Sequence, residues 1–173
     1  MAIQKIITEP NKILRQISQN VDKVGKEEQK LMDDMLETMY EAKGIGLAAI
    51  QIGVPKRILV MDISKNEEKK NPMYFVNPII KNKNSELSTY EEGCLSVPNY
   101  FAEIERPKKC EIEYLDYNGK KNNLLAEGLL ATCIQHEMDH LDGILFIDYL
   151  SNLKKKRAIE KVKKYKKNNE KTS

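Results

Sequence analysis

The chain has 173 residues, 40% hydrophobic and 32% charged, which suits a single domain with its own core. No run approaches the roughly 20 apolar residues that span a bilayer, and three cysteines are too few and too unpatterned for a disulfide framework. The net charge of +3 hides a division: residues 151–173 hold 10 Lys and Arg against 2 acidic residues, giving +8, while the preceding 150 hold 19 against 24, giving −5.

A basic tail on an acidic body points to contact with a polyanion such as RNA. The plain alternative is a solvated helix at the chain end. The opening residues, MAIQKIITEPNKILR, carry charge from the fifth position and lack an unbroken apolar core, so no secretory leader and no membrane association are expected. With Cys94, Cys110 and Cys133 unpaired, a reducing cytoplasm is the expected compartment.

In chain order, residues 26–43 place Leu31, Met35, Leu36, Met39 and Tyr40 on one helical face, and Gly44 follows where a helix would stop. RILVMDI (57–63) and MYFVNPII (73–80) are strand-like, separated by the polar loop SKNEEKKN. CEIEYLDY (110–117) runs into Asn118-Gly119, a tight-hairpin signal. Residues 127–141 predict a helix stopped by Gly143, and a last helix is predicted over 151–167. Helices and strands do not alternate strictly, so the expectation is an α+β fold: one domain with mixed or antiparallel strands around a central metal-binding helix.

That central helix carries His136-Glu137-Met138-Asp139-His140. At 3.6 residues per turn, positions i and i+4 lie about 40° apart, so two imidazoles converge on one ion. Glu137, about 100° round, can still reach a water beside it. These are the only two histidines in the chain. Leu129, Cys133, His136 and His140 form one stripe and Leu130, Ile134 and Leu141 another; a helix apolar on more than one side is buried. Two buried imidazoles need partners, and a metal is the economical one.

Two histidines do not complete a site. Downstream lie Asp142 and Asp148; upstream lies Cys94, preceded by Gly93, and a thiolate beside two imidazoles suits iron or zinc. Cys110, in a strand, and Cys133, in a helix stripe, read as small buried hydrophobes. The segment Gly44-Ile45-Gly46-Leu47-Ala48-Ala49-Ile50-Gln51 superficially matches a dinucleotide fingerprint. It follows a helix rather than a strand, which disfavours that reading. A glycine-flexed loop carrying the neutral amide of Gln51 toward an oxyanion is the alternative.

GIGLAAIQ (44–51), EGCLS (92–96) and QHEMDH (135–140), in this order and spacing, together resemble the peptide deformylase family. The likeness runs over residues 1–150, including the Arg106-Pro107 pair and HLDGILFIDYL. It implies a catalytic region over 1–150 followed by a basic helix or tail over 151–173. The implied activity is metal-dependent removal of the N-formyl group from formyl-methionine on newly made chains, giving formate.

Position by position, the resemblance implies Cys94, His136 and His140 as metal ligands. The metal would be Fe2+ in the cell, with Zn2+, Ni2+ or Co2+ able to replace it. Glu137 would be the general base and acid, while Gln51 and the backbone N–H of Leu95 would stabilise the oxyanion. Ile45, Gly46 and Gly93 would line the peptide backbone. Ile45, Tyr90, Leu129, Thr132, Cys133 and His136 would form the methionine pocket. Thr132 stands where relatives often have an aliphatic residue, Tyr90 is at a variable position, and Phe101 falls where some relatives carry arginine.

A buried Glu92 beside the centre needs a cation; Arg106 is the candidate, with Asp139 in support. Basic C-terminal helices in this family imply docking at the ribosome. Nascent formyl-methionyl peptides are the expected partners of a monomeric enzyme. Two rivals remain at this level. One is a zincin-like endopeptidase, which needs a ligand after His140. The other is an RNA- or ribosome-associated module with a four-ligand structural zinc, in which Cys133 would be the fourth ligand.

Overall fold

The computed structural model describes residues 2–64 and 69–172, so part of the predicted loop at 64–71 lies outside the described residues. Three helices, α1 (Lys26–Glu41), α2 (Leu129–Leu141) and α3 (Asn152–Thr172), accompany seven strands. These are β1 (Gly46–Ala48), β2 (Ile58–Met61), β3 (Met73–Lys83), β4 (Leu87–Cys94), β5 (Val97–Pro107), β6 (Lys109–Leu115) and β7 (Lys121–Glu127). Five form an antiparallel sheet in the order β1-β2-β3-β6-β7, and β4 pairs with β5 as a separate antiparallel ribbon. This is the expected α+β arrangement, with strands antiparallel throughout.

The unbroken apolar run of β2 follows from burial on both faces. Ile58 and Val60 join Met32, Met35 and Met39 of α1. Leu59 and Met61 point the other way, into the cluster of Ile134, Met138 and Leu141 from α2. Alternation across a strand therefore serves two helices instead of one helix and water. The buried stripe of α1 is centred on Met32, Met35 and Met39, while Leu31, Leu36 and Tyr40 flank it half-buried. It is rotated slightly from the face predicted above.

Between the sheet and β5, α2 is enclosed on almost every side, which is why it reads apolar all round. Gly128, at φ +63, opens it two residues later than predicted. At its other end, Arg57 Nη1 donates to the Leu141 carbonyl and to Asp142 Oδ1, each at 3.1 Å, holding a cation at the helix C-terminus. A third cluster of Leu14, Val97, Ile104, Phe146, Ala158 and Val162 ties the N-terminal segment, the ribbon and α3 together.

Two local readings change. Asn118-Gly119 does not form a two-residue hairpin. Instead Asp116 closes a longer turn, accepting from the N–H groups of Asn118 and Lys120, with Gly119 left-handed at φ +80. The last helix runs to Thr172 and is docked rather than free, since Ala158 and Val162 are fully buried.

Gly143, at φ +75, is packed so closely that a Cβ would lie 2.4 Å from the Arg15 carbonyl oxygen. Backbone, unlike a side-chain tip, cannot step aside. Gly143→Ala is expected to cost at least about 1–3 kcal/mol from strain alone. Urea denaturation checks this, and an unchanged midpoint would contradict it.

Candidate metal centre

His136 and His140 project from the same side of α2, and Cys94 reaches them from the end of β4. The three ligand atoms lie within 4.8 Å of one another. The register shift between Gly93 and Cys94 ends the ribbon ladder in a tight Cys94-to-Val97 turn, which turns the sulfur toward the helix. His140 Nε2 is 3.3 Å from Cys94 Sγ.

The imidazole of His136 is held from behind: its Nδ1 meets Glu92 Oε1 at 2.8 Å, leaving Nε2 as the inward ligand atom. Burial disfavours charge on both rings, yet Cys94 and Glu92 raise His136 well above the ordinary histidine value. Burial and neighbouring His136 hold His140 well below it. One sulfur and two imidazoles thus converge on one small space. A thiolate with two imidazoles is also a donor set matched to iron or zinc. The residues fit one divalent ion.

Glu92 is itself buried, and burial alone would raise its carboxyl. The bonds from His136 and Arg106 overcome that and hold it below the usual carboxylate range. Arg106 makes a two-pronged contact, Nε to Oε2 at 2.7 Å and Nη2 to Oε1 at 3.0 Å. Its Nη1 donates to Asp139 Oδ2 at 2.9 Å, and Tyr149 Oη donates to the same oxygen at 2.7 Å. The three residues named from sequence for this support thus form one chain, His136–Glu92–Arg106–Asp139.

Gln51 is buried and fixed at both ends: its Oε1 accepts from the Ala48 N–H at 2.9 Å. Its Nε2 donates to Ser96 Oγ at 2.9 Å and lies 3.5 Å from Cys94 Sγ. Ser96, fully buried, was not singled out from sequence, although it ends the EGCLS segment. The N-terminal segment laces the two loops together, Ile7 N–H to the Gln51 carbonyl at 2.7 Å and Glu9 N–H to the Ser96 carbonyl at 2.9 Å.

An open cleft of about 670 Å³ leads to this centre, within the usual range for ligand sites. Ile45, Gly46, Gly93, Cys94, Leu95 and Glu137 line it together. Tyr90, Leu129, Thr132 and Cys133 are not among its lining residues. Thr132 and Cys133 are buried within α2, and Tyr90 stands near the helix start at Gly128. Phe101, 63% exposed, overlies Gly93 at the cleft. Burial pushes the Glu137 carboxyl up to about 7, His136 opposing and Glu92 reinforcing. A carboxyl near neutrality can both take and give a proton.

Neither rival ligand set assembles. Asp142 pairs with Arg57, and Asp148 with Arg15 and Lys155. Cys133 is outside the three-residue group among the described residues. Its thiol is pushed up to about 12 by burial, with Glu137 and Glu92 adding to the shift.

Removing one partner of a buried ion pair typically costs about 3–5 kcal/mol, because the other is left uncompensated. Arg106→Ala is expected to lose stability on that scale, and to lose metal measured by elemental analysis. Retention of both metal and activity would contradict the assignment. A Cβ on Gly46 would lie 2.7 Å from Glu137 Oε1 and 2.9 Å from its Cδ and Cγ, so the carboxylate arm itself would have to move. Gly46→Ala should therefore fold and keep metal while losing on the order of 10²-fold in kcat through a misplaced carboxylate; an unchanged kcat would rule this out.

The sequence matches the Polypeptide deformylase family over residues 3–156. It is 72% identical over 168 residues to a peptide deformylase of Pelagibacter ubique, covering 97% of this chain and 98% of the other. It is 58% identical to one of Maricaulis maris, with 96% of each covered. Among solved structures, peptide deformylase from Ehrlichia chaffeensis superposes with TM-score 0.93 at 45% identity, over 97% and 99% of the two chains. A structure from the same organism in complex with actinonin gives 0.90 at 48%, over 95% and 98%. With the family's match spanning nearly all of the chain and the site assembled inside the shared fold, this chain belongs to the polypeptide deformylase family.

Proposed function

We propose that Cys94, His136 and His140 hold one divalent ion, Fe2+ in the cell, and that Glu137 carries the protons of the reaction. As a family member, the chain is a metal-dependent hydrolase that removes the N-formyl group from formyl-methionine on newly made polypeptides, releasing formate. The observation that carries the assignment of roles is the three-donor group beside a buried carboxylate at the foot of a cleft.

When bound, such an ion polarises the formyl carbonyl and lowers the pKa of a water. Glu137 takes a proton from the attacking water as its oxygen bonds to the formyl carbon. Gln51 Nε2, held by Ser96, and the N–H of Leu95 donate to the oxyanion. When the C–N bond breaks, Glu137 returns the proton to the departing amine, leaving formate and a free N-terminus. Ile45, Gly46 and Gly93 hold the peptide backbone in strand-like pairing, so binding is independent of much of the downstream sequence. The methionine side chain is received at Ile45, which lines the cleft, with Tyr90, Leu129, Thr132, Cys133 and His136, which do not line the cleft as it stands, completing its pocket.

Zn2+, Ni2+ or Co2+ suits the same donors. In this reading residues 1–150 carry the chemistry as a cytoplasmic monomer, and the basic segment over 151–173, which includes α3, adds contact with ribosomal RNA. The support for that contact is its charge of +8.

Glu137→Gln is the direct test. The variant should retain metal by elemental analysis and lose at least roughly 10²-fold in formate release from a formyl-Met peptide, the usual range for a lost general acid–base. Full activity with metal retained would remove Glu137 from the mechanism. Chelation of the wild-type protein should abolish formate release, and Fe2+, Zn2+, Ni2+ or Co2+ should restore it; activity that survives verified metal removal would dismiss the metal.

A further inference from the structure

The substrate cleft does not end at the centre's own walls. Tyr165 of α3 lines it together with Ile6 and Thr8 of the N-terminal segment. The same three residues also line a second groove of about 460 Å³, whose remaining walls include Lys5, Asn11 and Lys166. The two spaces lie side by side, with these three residues as their common wall.

The helix explains the placement. Ala158 and Val162, four residues apart, anchor α3 in the core beneath the ribbon. Three further residues bring Tyr165 round to the same face, beyond the end of the body it packs on. Its ring, 40% exposed, overhangs the cleft instead of entering the core. One turn earlier, Lys161 Nζ sits 5.8 Å from the ring centre of Tyr100, itself a cleft residue. α3 therefore brings an aromatic ring and lysine charge to the cleft, and Lys5 and Lys166 both line the second groove.

We propose that this adjoining groove binds the stretch of the polypeptide substrate downstream of the residues held at Gly46 and Gly93. Tyr165 is its stacking platform, and Lys5 and Lys166 favour acidic side chains. The proposal rests on the cleft being the substrate cleft. The occupant is the substrate because the groove adjoins that cleft and shares Ile6, Thr8 and Tyr165 with it as lining. The role of α3 toward substrate is one of positioning, remote from the reacting atoms.

The test compares three substrates: a formyl-Met tripeptide, and two ten-residue formyl-Met peptides that differ only in carrying glutamates or lysines in their distal half. The wild-type protein should show a lower KM for the acidic long peptide than for the basic one, by roughly 2- to 10-fold at low salt, with kcat unchanged. Raising the ionic strength should shrink the difference. The double variant K5E/K166E should abolish or reverse it, and Tyr165→Ala should raise KM for both long peptides. The double variant should not move the tripeptide's kcat/KM by more than about 2-fold, a pattern that a general loss of structure would not give.

If KM for the long peptides is the same in wild type and both variants, the groove does not hold substrate. That result is also expected if its lysines serve RNA. If the wild-type protein releases no formate from the tripeptide, the reading of the centre itself falls, and the groove proposal falls with it.

Discussion

A buried guanidinium locked to a buried carboxylate decides the arrangement of this molecule's working parts. Arg106 on β5 holds Glu92 on β4, and Glu92 in turn holds the ring of His136 on α2. None of these groups tolerates burial alone. Each satisfies the next, so the ribbon must sit over the helix in one register. Asp139 and Tyr149 extend the chain outward and neutralise the remaining face of Arg106. The His136 imidazole is therefore oriented by the same contacts that dock the second sheet.

The other side of the centre is built differently. Gln51 and Ser96 come from separate loops, bonded to one another and laced by the backbone of Ile7 and Glu9. Here neutral hydrogen bonds, not charge, set the geometry. In the proposed mechanism this difference suits the chemistry: ligand orientation needs a strong fixed field, whereas a neutral amide can donate to an oxyanion without competing with the ion. Gly46 fits the same logic. With no Cβ it allows strand β1 to run directly against Glu137, placing a buried carboxylate at the edge of an open cleft.

The α3 helix illustrates how composition can mislead. Its sequence reads as a solvated basic tail, and most of its residues are indeed exposed. Two small apolar residues, Ala158 and Val162, suffice to dock it, because they fill a cluster already formed by Phe146, Val97 and Leu14. Once docked, the helix becomes part of the cleft wall.

The sequence by itself determined the metal helix, the third ligand candidate at Cys94, the acidic–basic division and the central strands. The metal helix and the central strands are carried by local spacing, i and i+4 for His136 and His140 and an unbroken apolar run for Ile58–Met61; the charge division is carried by composition and Cys94 by donor chemistry and motif order. It also suggested the Glu92–Arg106–Asp139 support, since buried charges must find partners. The β4–β5 ribbon was not legible, because its buried face carries Glu92 and Arg106 while Leu87 and Phe101 are exposed, which inverts the hydrophobic alternation that marks a half-buried strand. Nor were Ser96 and Tyr149, whose roles exist only through partners distant in the chain. Only tertiary structure decided that Asp142 and Asp148 are ion-paired elsewhere, that Cys133 stands apart from the ligand group, and that Tyr165 meets the cleft. Those are facts of long-range packing, and no local periodicity encodes them.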